Sequence, residues 1–420
     1  MPPRLPLIAS RDFSTASTSN EFRDQWTRPG DVFSVLLLLG GEIVARALAQ
    51  LAGRGVAPVT FSFGWVAYSL SALTSAVGEN KLMPQAPDCQ CIVMNGKTGI
   101  QMENSSWIIG RMVRDFETWC HPGTRAKEER KSSMSDGSRS RARDGQSPTP
   151  HRGGLIVSVY RPSTERKPGL PEPDLVYWSG FVTMALQLGL AAVPLALSGH
   201  WGILLITACG TLLALLTGLL PQWRLEKWAC RMSSRDAYVL TRGNGAQHAI
   251  VILGNGHGMN LADLAAGQNN LDTSAHHWTR GSVLALAILW ILLLITAAGI
   301  RDDTWFLLGI GGLGILQNVF VAGWTRRPEH FGVPLDFVEA IGKTKVMRTL
   351  FEVEERYPGL GRVMRDEFFP GALLPEETLR WQEFEKTKAE GSNSSNSQSL
   401  LDVSRQEPPV PVQDSTRGTS

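Results

Sequence analysis

Apolar residues along the chain are gathered into long uncharged blocks, with polar and charged stretches between them. A hydrocarbon core about 30 Å thick calls for roughly 20 apolar residues of helix. Residues 175–197, 201–220, 283–300 and 305–324 meet that requirement without an Asp, Glu, Lys or Arg. A fifth block, 56–77, is uncharged but rich in hydroxyls (Thr60, Ser62, Ser69, Ser71, Thr74 and Ser75). A helix in lipid tolerates these by bonding them back to its own carbonyls. The sixth block, 32–51, opens with VFSVLLLLGG and then carries Glu42 and Arg46. Each charge costs about 2.5–3.5 kcal/mol near the bilayer centre. The two stand one helical turn apart with Glu first, the favourable order for a pair, and Gln50 prolongs the same face. That stripe is expected to face another helix rather than lipid. The alternative left open is that 32–51 lies on the membrane surface.

Only residues 52–55 separate blocks 32–51 and 56–77, so these are expected to insert as a hairpin. Short connections pair the other four blocks in the same way. The expectation is an all-α membrane protein of about six transmembrane helices in three hairpins, with cytosolic loops of mixed α/β character and disordered segments. In chain order this gives a tail over 1–30, a hairpin over 31–77, a loop over 78–174 and a hairpin over 175–220. A loop over 221–282, a hairpin over 283–324, a helical tail over 325–390 and a disordered tail over 391–420 complete it.

Charge enters through its distribution, because the net value is only +2, which gives no global excess to suggest nucleic acid. The N-terminal tail holds Arg4, Arg11, Arg23 and Arg28; 78–174 holds 15 basic residues, 221–282 holds 6 and the tail after 324 holds 13. The connections between them hold one or none. Basic-rich connections stay in the cytosol, so both termini are expected there. Trp178, Trp201, Trp223, Trp278, Trp305 and Trp324 fall near block ends, where an indole keeps its ring in the interface. The apolar stretch at residues 5–9 is too short for a secretory signal. Asp12, Glu21 and the early prolines argue against a mitochondrial presequence.

Between the blocks, NSSWIIGRMVRDFETW within 78–124 has helical spacing. Residues 125–154 are basic, Ser-rich and poor in large apolar groups, and are expected to be disordered. Such a cytosolic run can rest on anionic lipid, although more often it is simply a solvated insert. In 224–281, two Gly-Asn-Gly turns bracket the β-branched run AIVIL, which reads as strand, turn, strand, turn and then a helix from about Asn260. Gly254, Gly256 and Gly258 are neither a dinucleotide fingerprint nor a P-loop, and a small hairpin-helix cap is the expectation. After residue 334 an amphipathic helix is expected to about Tyr357.

Candidate chemistry is sparse. Cys89, Cys91, Cys120 and His121 form a set of zinc-ligand types, but the spacing lacks paired CxxC and adjacent Cys120 and His121 converge poorly. No metal, cofactor or catalytic residue is therefore assigned. In the cytosol the thiols stay free and the sequon at Asn104 unused. Several stretches resemble a family of uncharacterised fungal multi-pass integral membrane proteins. They are RPGDVFSVLLLLGGEIVARALAQLAG, FSFGWVAYS, GENKLMP with the following DCQC, NSSWIIGRMVRDFE, LTRGNGAQHAIVILG and FEVEERYPGLGR. The resemblance spans roughly residues 28–370. It implies a membrane location and a fungal source, and brings no catalytic residues.

Three function classes follow. The first is a non-enzymatic membrane scaffold or regulatory component with unknown protein partners. The second is a transporter or channel with a polar path lined by Glu42, Arg46, Gln187, Gln317 and Asn318. Against it, the hairpins show no inverted repeat, and no uncharged block is broken by a Gly/Pro interruption at its midpoint. The third is a membrane-bound enzyme with a cytosolic site where His248, His257, Cys89 and Cys91 meet.

Overall fold

The computed structural model describes residues 30–78, 81–84, 89–139, 154–267, 277–300 and 302–386, with the backbone alone for 30–39 and 131–139. The chain begins with helices α1 (Gly30–Leu51) and α2 (Gly64–Gly78). Strands β1 (Ile92–Asn95) and β2 (Gln101–Glu103) follow, then helices α3 (Trp107–Arg114), α4 (Phe116–Trp119) and α5 (Pro122–Arg139). Strand β3 (Ile156–Pro162) precedes the hairpin of α6 (Leu175–Ser198) and α7 (Gly202–Gly218), and α8 (Pro221–Lys227) follows. Next come β4 (Tyr238–Thr241), β5 (His248–Ile252) and α9 (Leu261–Ala266). The hairpin of α10 (His277–Ala298) and α11 (Thr304–Gly323) leads to β6 (Leu335–Gly342), α12 (Val346–Arg356) and α13 (Leu360–Phe368).

Three helices, α6, α10 and α11, are long and apolar enough to cross a membrane, and α7 joined to α8 across a 42° bend makes a fourth. Their outward residues, among them Leu186, Leu205, Leu212, Leu289, Ile295 and Leu316, are exposed. So broad an apolar surface is unlike that of a soluble monomer.

The six strands form one sheet in the order β2-β1-β4-β5-β3-β6, antiparallel except for the β3–β5 pair. Tyr238, Leu240, Ile250 and Ile252 point to one face, where α3, α4 and α9 pack. Val239, Ala249 and Val251 point to the other, against α12, α13 and Trp381. This two-residue alternation is what a sheet covered on both sides requires. The hairpin-helix expectation for 224–281 is thus right in its elements and too small in scale. Those strands are the centre of a sheet completed by β1, β2 and β3 from the preceding connection and β6 from the tail. Two further expectations fail. Residues 335–342 are strand rather than helix, paired from Leu335 to Gly342 with β3. Residues 125–139 are helical, as part of α5, where disorder was expected, while 140–153 lie outside the described residues. Arg125 and Lys127 there bond the carbonyls of Glu117, Thr118 and Ala340 on the domain itself.

One sheet drawing strands from three segments places all three on one side of the bundle. The α6–α7 and α10–α11 hairpins must therefore each go out and return. At their far tips His200 Nδ1 meets Asp303 Oδ2 at 2.8 Å.

The expected helix over 56–77 is not continuous. Helix begins only at Gly64, and the preceding residues are irregular and buried. They thread between α6, α7 and α11. Gly180 faces Pro58, Gly218 faces Ala57, Gly210 and Gly314 face Phe61, and Gly311 faces Phe63. Gln187 bonds the Phe61 carbonyl. From Gly180 to Gln187, α6 climbs about 10 Å, as do three extended residues from Pro58 to Phe61. Gly210 and Gly218, two turns apart on one face of α7, thus make room for an unwound chain. The Ala52 carbonyl after α1 bonds Lys227, and Leu82 N beyond α2 bonds Glu226, so both carboxyl ends reach α8. The helices cross at Gly40 and Gly64, where no side chain fits. The segment 52–78 therefore enters from the sheet side, turns within the bundle and returns to the same side.

A Cβ at Gly314 would collide with the Phe61 carbonyl, whereas one at Gly312 meets nothing within 4 Å. Gly314→Ala is expected to destabilise the detergent-solubilised protein by about 1–3 kcal/mol. Gly312→Ala should leave it unchanged or raise stability by up to about 1 kcal/mol. Thermal unfolding read on the two variants in parallel checks the contrast.

Candidate functional site

Polar groups concentrate at two places, the unwound segment inside the bundle and the junction between bundle and sheet domain. In the first, Asn318 Oδ1 accepts from Thr60 N at 3.2 Å and from its hydroxyl at 2.9 Å, and Asn318 Nδ2 donates to the Thr60 carbonyl at 3.1 Å. Thr60 Oγ1 also reaches the Gly314 carbonyl at 3.0 Å. Trp65 Nε1 donates to the Thr60 carbonyl, and Gln187 Nε2 bridges the carbonyls of Phe61 and Ile310, each at 2.8 Å. Asn318 and Gln187 are wholly buried. They do for the broken backbone what a helix does for itself. A cavity beside Tyr68, Thr217, Val283 and Trp290 holds only about 10 Å³.

The expected polar path is not assembled. Gln187 and Asn318 converge on residues 60–62, but Gln317 bonds Ser179 elsewhere. Glu42 and Arg46 lie on the outer face of α1, bonded to each other at 2.7 Å. Gln50, expected on their stripe, is buried and donates to the Trp324 carbonyl.

At the junction three buried cations meet the carboxyl ends of α1 and α11. Lys227 Nζ donates to the carbonyls of Gln50 and Ala52, at 3.2 and 2.8 Å. Arg326 Nη1 donates to the Gln50 carbonyl at 2.9 Å and grips Asp174 with two further bonds, of 2.7 and 2.9 Å. Arg111 Nη2 donates to the carbonyls of Ala322 and Trp324, both at 3.0 Å. Cations suit helix carboxyl ends, which carry unsatisfied carbonyls and partial negative charge. Each also lies over an aromatic ring, Arg111 and Lys227 over Trp107 and Arg326 over Phe331. Burial first, and the Arg326 charge next, holds the Lys227 ammonium well below the usual lysine range. Glu226 turns its carboxylate onto Leu82 N, Met83 N and Gln222. A cavity of about 180 Å³ opens beside these residues, bounded by Lys81, Ser105, Trp107 and Gly267.

The remaining candidates are dispersed. His248 opens β5 and stacks near Phe116, whereas His257 lies past the opposite end of that strand. Cys91 is buried at the start of β1, and burial pushes its thiol up to about 12, away from nucleophilic or ligand chemistry. His121 stacks on Phe337 with Nδ1 accepting from Gly123 N. Among the described residues no three His, Cys, Asp or Glu side chains are grouped to hold a metal. Gly254 and Gly258 pack tightly on Arg235 and Pro162, and the Asn255 side chain serves its own turn and the Pro162 carbonyl. The sequence reading missed Lys227, Arg326 and Arg111. Only Arg326, two positions beyond the block ending at 324, carried a local signal, and all three were counted only as cytosolic charge.

A groove of about 420 Å³ lies on the sheet domain between Arg114, Phe116, Arg242, Gln247 and His248. Comparison with protein-family models, curated proteins and solved structures found no match.

Arg326→Met leaves Asp174 buried without its partner and is expected to cost about 3–5 kcal/mol. Adding Asp174→Asn, which retains an acceptor for Tyr177 N, should recover part of the loss; a double-mutant cycle by thermal unfolding reads the coupling. The unfolded chain holds the Lys227 proton up to about pH 10.5, while the folded chain releases it well below. Stability therefore rises with pH across that interval. Lys227→Met is expected to flatten this alkaline rise in melting temperature.

Proposed function

We propose that this protein is a membrane-embedded, non-enzymatic scaffold or regulatory component that holds an α/β domain rigidly against the cytosolic face. The observation carrying this reading is the packing of the bundle. Gln187, Asn318 and Thr60 bond the protein's own backbone, and the cavity beside Tyr68 and Trp290 holds only about 10 Å³. The resemblance to fungal multi-pass membrane proteins fits this reading. Its motifs fall on Gly40, Phe61, Gly64 and Arg111, residues that pack or cap rather than react.

The membrane topology in this proposal is five crossings, α1, α6, α7, α10 and α11, with 52–78 re-entrant. It replaces the six crossings expected from hydropathy. Helix α1 is 22 residues long and meets Gly64 near its middle, so its amino end reaches the side opposite the sheet. The N-terminal tail then lies across the membrane from the C-terminus. The basic content of residues 78–174 and 221–282 supports a cytosolic sheet domain.

A transporter is the second reading, favoured by the break at Pro58–Gly64, because unwound segments near the midplane line substrate sites in many transporters. Two measurements test these proposals. Tags at the two ends are expected to be protected from protease on opposite sides of sealed vesicles; protection of both together restores an even number of crossings. Reconstituted in liposomes, the chain should leave ion and small-solute permeability unchanged. A flux abolished by Asn318→Ala would replace the scaffold with a transporter.

A further inference from the structure

The inner face of α1 is closed: Val44, Ala47, Leu48 and Leu51 are buried against the bundle. Its outer face carries the Glu42–Arg46 pair, with the Glu42 side chain 75% exposed and that of Arg46 50%. Gln50 marks the sheet-side end of α11 through its bond to the Trp324 carbonyl. Glu42 lies two turns further along, about 12 Å by helical rise, which is close to the middle of a core about 30 Å thick. Arg46 can extend its long side chain toward the interface; the short Glu42 side chain cannot. Left against lipid, each charge would be costly to keep there.

We propose that this outer face of α1 is the contact surface between two copies of the chain, joined within the bilayer by reciprocal Glu42–Arg46 pairs. The inference rests on the reading that α1 crosses the membrane. The pattern is complementary to itself. A two-fold axis along the membrane normal preserves depth, and because Arg46 already reaches back one turn to the level of the Glu42 carboxylate, it sets each carboxylate level with the guanidinium of the second copy. The same axis keeps both sheet domains on one side and makes the contact closed and isologous. A guanidinium has five donors, so Arg46 can keep its own Glu42 and add the second. Half-buried Ala45 and Ala67 beside the pair leave room for close approach, which helix association in lipid needs.

The test is subunit counting by photobleaching of the full-length protein in neutral phospholipid bilayers. Wild type is expected to bleach in two steps. The E42L/R46L variant suits lipid and should melt like wild type, yet its dimer fraction should fall at least tenfold. E42R alone and R46E alone should each be monomeric, and an equimolar mixture should restore dimers, labelled one of each. The mixture guards against a folding defect in either variant. Wild-type monomers, unchanged association of E42L/R46L, or a mixture that stays monomeric overturns the proposal. Carbonate extraction of the same samples reports separately on whether the chain is in the membrane.

Discussion

Inside a bilayer no water is available to bond a carbonyl or amide, so backbone that leaves the helix must find its partners in protein. In this protein eight residues, Val56 to Phe63, break that regularity within an apolar bundle. Most of what is distinctive about the bundle serves them. Asn318 clasps Thr60 through both of its amide atoms, Gln187 bonds the Phe61 carbonyl, and Trp65 returns its indole N–H to the Thr60 carbonyl. Glycines on α6, α7 and α11 supply the width that an extended chain with phenylalanine side chains demands. Phe61 and Trp65 in turn stack on Trp290, which ties α10 to the same segment. The inserted segment thereby ties α6, α10 and α11 to one another.

The second dependence is at the junction. Two helices, α1 and α11, end where bundle and sheet domain meet, and their terminal carbonyls would be costly to bury bare. Lys227, Arg326 and Arg111 satisfy them from three different segments, α8, the stretch after α11, and α3. Asp174 neutralises Arg326 while capping α6 through Tyr177 N. These bonds fix the sheet domain to the membrane part. A buried ammonium whose proton is loosely held is the expected consequence of placing a lysine there.

Hydropathy and charge located α6, α7 and α11 to within about two residues, and α10 except for its first turn and a half, because each had to be a long uncharged run whatever its neighbours. The β4–β5 hairpin and Asn260 as the start of α9 were legible for a similarly local reason: two Gly-Asn-Gly turns flank a β-branched run, and the Asn260 side chain caps the helix by accepting from Asp263 N. By contrast, strands β3 and β6 were not. LIVSVYRP looks like the end of a loop, and LDFVEAIG scans as amphipathic helix, until each finds its partner in the other across the sheet. Strand identity there depends on pairing between residues about 180 apart, which no local window contains.

The composition of 56–77 established that this stretch sits in an apolar environment, since nothing in it is charged. Whether it would be a helix was decided elsewhere, by Asn318 and Gln187 offering bonds that compete with the helical ones and by glycines that leave a channel. The sequence likewise determined that Glu42 and Arg46 would pair, because the i to i+4 spacing alone brings them together. Which way the pair faces was settled only by packing. The opposite face of α1 is the one that fits Gly64 and the end of α11, and a helix can bury only one side against its own fold.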